Sequence, residues 1–437
     1  MKEESLNKAF KLLVNAFSIL RGAFKIEKER GIKMKKVSVL GYGTVGSGVV
    51  EILKENAELI EKRAGEKIQV KSVLDLRDFP GDPVQDMIVH DFEEIRKDSE
   101  VQIVVETMGG LHPAYEFVKA SLESGKSVCT SNKALVAAYG PELLKLAEEK
   151  NVNFLFEASV GGGIPIIRPL KVSLAPDEIL EISGILNGTT NYILTEMTEK
   201  GSDFDSVLKD AQEKGYAEKD PTADVEGYDA CRKIAILTSL AYGKQLDFED
   251  IYTEGITKIT DRDIRYAKKL GAKIKIFGSS KKVGDRVSAM VAPKLITSSH
   301  PLYSVDGVFN AILVKGNMVG DVMFYGQGAG KLATASAVVS DVIDEAKHTN
   351  INMKTLWDSE KLALMPQEEV SFRFFVRIHG KKEEAARQAE RAFGKVTPVE
   401  AGFDDEYGFV TEEMTEAAFE KAAGEVDVIN RIRFDHA

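Results

Sequence analysis

Two cysteines in 437 residues, Cys129 and Cys231, are too few and too far apart for a disulfide framework or a cysteine-based zinc site. A reducing compartment, the cytoplasm, is the expected setting. No apolar run approaches the roughly 18 residues of a membrane span, so no membrane partner is expected. Basic residues form no concentrated patch, and 58 Lys and Arg against 69 Asp and Glu give a formal net charge of −11, which argues against nucleic acid as the main partner. The remaining composition, 43% hydrophobic and 29% charged, is that of a globular protein with length enough for two to four domains.

Leu6, Phe10, Leu13, Phe17, Leu20 and Phe24 recur at alternating spacings of four and three, one stripe of an amphipathic helical extension over residues 1–34. The competing expectation is that Met34 is the natural start. From Lys35 the text changes: the short apolar strand Val37–Leu40 runs straight into Gly41-Tyr42-Gly43-Thr44-Val45-Gly46, which opens a helix. Gly41 permits the turn, Gly43 lets backbone approach a pyrophosphate, and Gly46 lets helix and strand pack, while the helix N-terminus at Thr44 and Val45 supplies N–H donors. The second strand, 68–74, ends in Asp75-Leu76-Arg77-Asp78. Asp75 suits the ribose hydroxyls of NAD and Arg77 the 2′-phosphate of NADP, so both cofactors stay open. A strand at 101–106 exits into Thr107-Met108-Gly109-Gly110, and one at 127–129 exits into Thr130-Ser131-Asn132-Lys133. Lys133 is either an ordinary loop lysine or a cation aimed into the same crevice. This alternation indicates a doubly wound dinucleotide-binding domain over 35–150.

A strand at 153–156 leads into Glu157-Ala158-Ser159-Val160-Gly161-Gly162-Gly163-Ile164-Pro165, where one carboxylate and carbonyls freed from regular pairing offer a hard cation what it needs. The strand 179–186 feeds Asn187-Gly188-Thr189-Thr190, whose N–H and hydroxyl groups suit a carboxylate at a helix start. The acidic loop Glu218, Asp220, Asp224, Glu226 then enters a helix over 228–242, closed by Gly243. Ala230, Ile234, Leu237 and Ala241 form its apolar stripe, with Asp229 and Lys233 on one face at the stripe's edge. Taken alone, that pair is either a surface ion pair or a proton-transfer group in a cleft.

Seven motifs in order, GYGTVG (41–46), ETMGG (106–110), TSNK (130–133), EASVGGGIPII (157–167), GILNGTTNYIL (184–194), GYAEKDPTADVEGYDACRK (215–233) and GQGAGKLATASAVVSD (326–341), resemble the homoserine dehydrogenases over about 35–345. The resemblance implies a Rossmann-type α/β nucleotide domain with a return helix over 326–350 and an α+β substrate and dimerisation domain over 151–325. It implies NAD or NADP as cofactor and L-homoserine and L-aspartate 4-semialdehyde as substrates. Lys233, Asp229 and Lys133 would be catalytic, and Glu218, Asp224, Gly188 and Thr189 would bind substrate. Gly41, Gly43, Thr44, Val45, Gly46, Arg77, Thr107, Lys133 and Gly328 would hold the nucleotide. Glu157 with the carbonyls of Val160, Gly162 and Ile164 would hold a monovalent cation, sodium or potassium. A homodimer or homotetramer is expected. Ser131 and Ala333 depart from the usual alanine and proline without removing a functional group.

Over 357–437 the order of elements reads βαββαβ, a ferredoxin-like unit resembling the ACT regulatory module, with L-threonine as candidate effector. His379-Gly380-Lys381-Lys382 replaces the usual Asp-x-Pro-Gly turn, so a plain oligomerisation module is an equal expectation. Two other activities compete. An aspartate-semialdehyde-type dehydrogenase needs a cysteine nucleophile, and Cys231 lies about 200° round the helix from Asp229 and Lys233. A catalytically silent amino-acid sensor would not need the intact lysines and carboxylates.

Overall fold

The computed structural model describes residues 34–435; the amphipathic stripe expected before Met34 lies outside them. The nucleotide domain is a six-stranded sheet, β1 (Met34–Leu40), β2 (Lys67–Leu74), β3 (Ile88–Val89), β4 (Val101–Glu106), β5 (Ser127–Thr130) and β6 (Phe154–Leu155), in the order β3-β2-β1-β4-β5-β6. All its ladders are parallel, so both faces must be covered, and β4 reads as an almost unbroken apolar run. The order reverses between β1 and β4, and ligands of open α/β sheets bind outside the strand ends at such a switch. The expected first helix stops at Glu55 and restarts at Ala57. The helix Lys331–Lys347 returns to pack against this sheet, burying Ala335, Val338 and Val342 with Val37, Val39 and Val49.

The second sheet has ten strands. Strands Ile179–Ile185, Ala272–Val283, Arg286–Thr297, Phe309–Gly316 and Gly320–Gln327 form its substrate-domain half. The helix Tyr228–Tyr242 lies on this half, closed as its sequence predicts by Gly243 and preceded by Gly227, both at positive φ. Gly278 allows close packing, since a Cβ there would lie 3.2 Å from Cβ of Ile234.

The tail folds in the βαββαβ order, but it is not a tethered separate body. Its last strand, Val428–Phe434, pairs in parallel with Arg286–Thr297 through Lys294↔Arg433 and Leu295↔Phe434, so one sheet runs through both units. The tail's own helices cover one face of its sheet, around Phe374, Phe409 and Phe419. The other face contributes Phe375, Val410 and Ile432 to the central core. Charged groups pin the junction: Arg433, fully buried, bonds Glu254 at 2.8 Å and also pairs with Glu416. Arg377 bridges Asp263 at 2.7 Å and Glu406 at 2.6 Å. Among the described residues no helix is long and apolar enough to cross a membrane.

Candidate active site

The glycine loop follows from sterics. Gly41 stands at φ +95°, a conformation other residues rarely adopt, and a Cβ on Gly46 would lie 1.9 Å from the Gly41 carbonyl oxygen. A Cβ on Gly43 would meet nothing within 4 Å, so the space before it is open to a ligand, at the N-terminus of the helix Thr44–Glu55. Thr107 Oγ1 donates to the Gly41 carbonyl at 3.0 Å, tying the β4 exit to this loop. Gly41, Gly43, Asp75, Arg77, Thr107 and Met108 all line one cleft of about 530 Å³. Asp75 accepts from the Tyr42 N–H at 2.8 Å and from the Arg77 guanidinium at 2.9 and 3.0 Å. Its carboxyl is therefore held well below the usual range, chiefly by Arg77. Gly328 is not in the cleft lining; it packs on Asn310 and Gly162.

Glu106, at the end of β4, was not singled out in the sequence, yet it joins two strand exits. Its carboxylate accepts from Met108 N–H at 2.8 Å and from the Thr130 hydroxyl at 2.5 Å, and burial pushes its carboxyl up. Asn132 in turn donates to the Gly110 carbonyl at 2.6 Å and caps the helix Lys133–Lys150. Lys133 thereby starts that helix at the mouth of the sheet.

The second half of the site lies on the substrate domain. Asp229 and Lys233 are not at a surface: they are 6% and 8% exposed. Lys233 Nζ donates to Asp229 Oδ2 at 2.7 Å and to the Leu186 carbonyl at 2.8 Å, while Lys133 Nζ approaches Asp229 Oδ1 at 3.0 Å. Burial alone would raise the Asp229 carboxyl; the ammonium groups of Lys233 and Lys133 outweigh it and hold the group well below its ordinary value. Asn187 adds the link that the sequence did not disclose. As N-cap of the helix Gly188–Lys200 its oxygen accepts from Thr190 N–H, and its amide donates to Asp224 at 2.7 Å and Asp229 at 2.9 Å. Asp224 is pushed up by burial and by the charge of Asp229.

Three sequence-predicted residues stand in surroundings that the sequence did not disclose. The Thr189 hydroxyl donates to the Tyr216 carbonyl at 2.6 Å, so it is the N–H groups of Gly188 and Thr189, ahead of the first intrahelical bond, that suit an anion. Glu218 is exposed on its loop, outside the buried cluster. The Glu157 carboxylate is committed to protein: it accepts from the N–H groups of Ile166 at 2.6 Å, Ile167 at 2.8 Å and Arg168 at 2.7 Å. Those bonds organise the glycine loop and occupy three of the carboxylate's acceptor positions. The carbonyls of Val160, Gly162 and Ile164 are the donors that fit a cation, since none accepts a hydrogen bond from the described residues.

Both thiols are buried and burial raises them, and Cys231 donates to the Phe248 carbonyl at 3.2 Å. Neither serves as the nucleophile an aspartate-semialdehyde-type dehydrogenase requires.

Comparisons with known proteins agree with this geometry. A family model described as "Homoserine dehydrogenase, NAD binding domain" matches residues 41–157, and one described as "Homoserine dehydrogenase" matches 165–343. The homoserine dehydrogenase of Neisseria gonorrhoeae is 43% identical over 364 residues, covering 80% of this chain and 83% of that one. That of Synechocystis is 48% identical over 316 residues, covering 71% and 72%. The crystal structure of a homoserine dehydrogenase from Thiobacillus denitrificans superposes with a TM-score of 0.85 at 36% identity, covering 93% of this chain and 99% of that chain. A hyperthermophilic archaeal homoserine dehydrogenase in complex with NADPH gives 0.63 at 29% identity, covering 74% and 100%. The open glycine-loop cleft, the two lysines sharing one buried carboxylate and these matches along most of its length lead to one conclusion: the chain belongs to the homoserine dehydrogenase family.

Proposed function

We propose that this enzyme interconverts L-homoserine and L-aspartate 4-semialdehyde with NAD(P), on the branch toward threonine and methionine, and that Lys233 moves the proton. The observation that carries the assignment is the pair of ammonium groups held 3.0 and 2.7 Å from the two oxygens of buried Asp229. Bound nicotinamide supplies or accepts the hydride. In the reducing direction the carbonyl oxygen gains charge and needs a proton, and Lys233 Nζ both stabilises that charge and donates. Asp229 holds the two lysines in register, and Asn187 fixes Asp229. Lys133, at the nucleotide side, adds positive charge beside the oxygen. Glu218 and Asp224 match the substrate ammonium, and the N–H groups of Gly188 and Thr189 match its carboxylate.

Cofactor choice turns on Arg77. Its guanidinium already neutralises Asp75, so a ribose diol would have to displace it, whereas a 2′-phosphate would find it in place; NADP is the favoured partner, with NAD accepted. The carbonyls of Val160, Gly162 and Ile164 would seat sodium or potassium. A second copy of the chain is proposed to cover the substrate-domain sheet, where Phe309, Met323 and Tyr325 are 36%, 44% and 53% exposed on an outer strand pair. The tail is proposed to bind L-threonine, which its βαββαβ topology supports. Because its sheet is continuous with the catalytic half, threonine inhibition should be titrated on the intact enzyme rather than on a truncation. Homoserine-dependent reduction of NADP and NAD by purified enzyme tests the assignment; no turnover with either cofactor would overturn it.

A further inference from the structure

Asn310 has no place in the reaction described so far, although it packs beside Gly188 of the substrate seat and Gly328 of the returning segment. It is 2% exposed, and its Oδ1 has no hydrogen-bond partner among the described residues. Buried amide oxygens are almost always paired, so an unpaired one beside an active site points to a ligand that completes it. The register Ala311↔Ile185 sets Asn310 opposite Leu186, whose carbonyl receives Lys233 Nζ at 2.8 Å. A Cβ built on Gly188 would lie 3.5 Å from Asn310 Oδ1, and one built on Gly328 would lie 1.9 Å from its Nδ2. The amide thus sits between the substrate seat and the segment that returns the chain to the nucleotide domain.

We propose that Asn310 binds the carboxamide of the nicotinamide ring and so fixes which way the ring is turned against the substrate. This rests on the NAD(P)-dependent reading above. A carboxamide presents one acceptor and one donor group, so whichever end of the Asn310 amide faces it finds a complement. The substrate's own charged groups have better partners: carboxylates for the ammonium, helix N–H groups for the carboxylate. Hydride transfer requires the ring carbon to face the substrate carbon, and anchoring the carboxamide removes the rotation that would turn it away.

The experiment compares kcat/KM for the natural cofactor and for its 3-acetylpyridine analogue, in which a methyl group replaces the amide NH₂. Wild-type enzyme should favour the natural cofactor, and Asn310→Ala should lose about tenfold with it and little with the analogue, the size of one hydrogen bond. Asn310→Leu, which keeps the volume and removes both polar atoms, should behave alike and guards against a simple cavity effect. Equal losses with both cofactors, or a rise confined to the KM for homoserine, would overturn the inference. If neither variant folds, the wild-type enzyme decides: equal Kd for the two reduced cofactors also overturns it. Absence of any homoserine oxidation would instead strike the functional assignment.

Discussion

Replacing Lys233 by methionine separates proton transfer from folding. The side chain is 8% exposed and donates to Asp229 and to the Leu186 carbonyl, so methionine fills the space but provides neither bond. Removing one member of a buried ion pair ordinarily costs about 3–5 kcal/mol. Here the loss should be nearer the low end, because Lys133 still faces Asp229 Oδ1 at 3.0 Å and Asn187 still donates to Oδ2 at 2.9 Å. The catalytic loss should be larger. A positioned general acid contributes about 10²–10⁴ in rate, or roughly 3–5 kcal/mol of barrier. The assay is saturating kcat for aldehyde reduction, with NADPH affinity from its fluorescence and folding from thermal denaturation. NADPH binding should be unchanged, since Lys233 stands on the substrate side, while kcat falls at least a hundredfold. Turnover within tenfold of wild type in a folded protein would refute Lys233 as the donor.

Arg77→Ala should raise KM for NADP by about tenfold or more while leaving that for NAD within a few-fold, measured by steady-state kinetics with both cofactors; equal effects would remove Arg77 from cofactor choice. Glu345 is buried against Ser127 and Asn153, and burial pushes its carboxyl up to about 7. A raised acid stabilises the fold fully below its unfolded value near 4.5, and that contribution is lost as pH rises to about 7, roughly 3 kcal/mol in all. Glu345→Gln should therefore flatten the dependence of Tm on pH between those limits; an unchanged slope would show that the carboxyl titrates normally. Arg433→Met leaves buried Glu416 without its cation and leaves half-buried Glu254 with Arg431 alone, and Glu254 adjoins Gly255, where a Cβ would lie 2.2 Å from the Val225 carbonyl on the turn before the helix Tyr228–Tyr242. Both Tm and kcat should fall, and a lower Tm with unaltered kcat would confine the pair to holding the tail.

Local rules carried much of this protein. The nucleotide fingerprint was legible because Gly41 and Gly46 answer constraints within one turn, a positive φ and a Cβ that would strike the Gly41 carbonyl. The helix Tyr228–Tyr242 was legible because Gly243 and an apolar stripe at helical spacing are local signals. Even the order βαββαβ in the tail follows from alternating patterns along the chain. Tertiary structure decided what those pieces do. Whether Asp229 and Lys233 were a solvated pair or a buried one depended on Lys133, 96 positions earlier, and on Asn187, 42 positions earlier, neither of which helix periodicity can reach. That the Glu157 carboxylate accepts from the N–H groups of residues 166–168 was decided by folding, which turns them toward it. The tail read as a separate module because strand pairing between Lys294 and Arg433 leaves no trace in either segment alone. Sequence sets what each segment can form; only the fold decides which polar groups share a low-dielectric interior, where partner identity determines both charge and role.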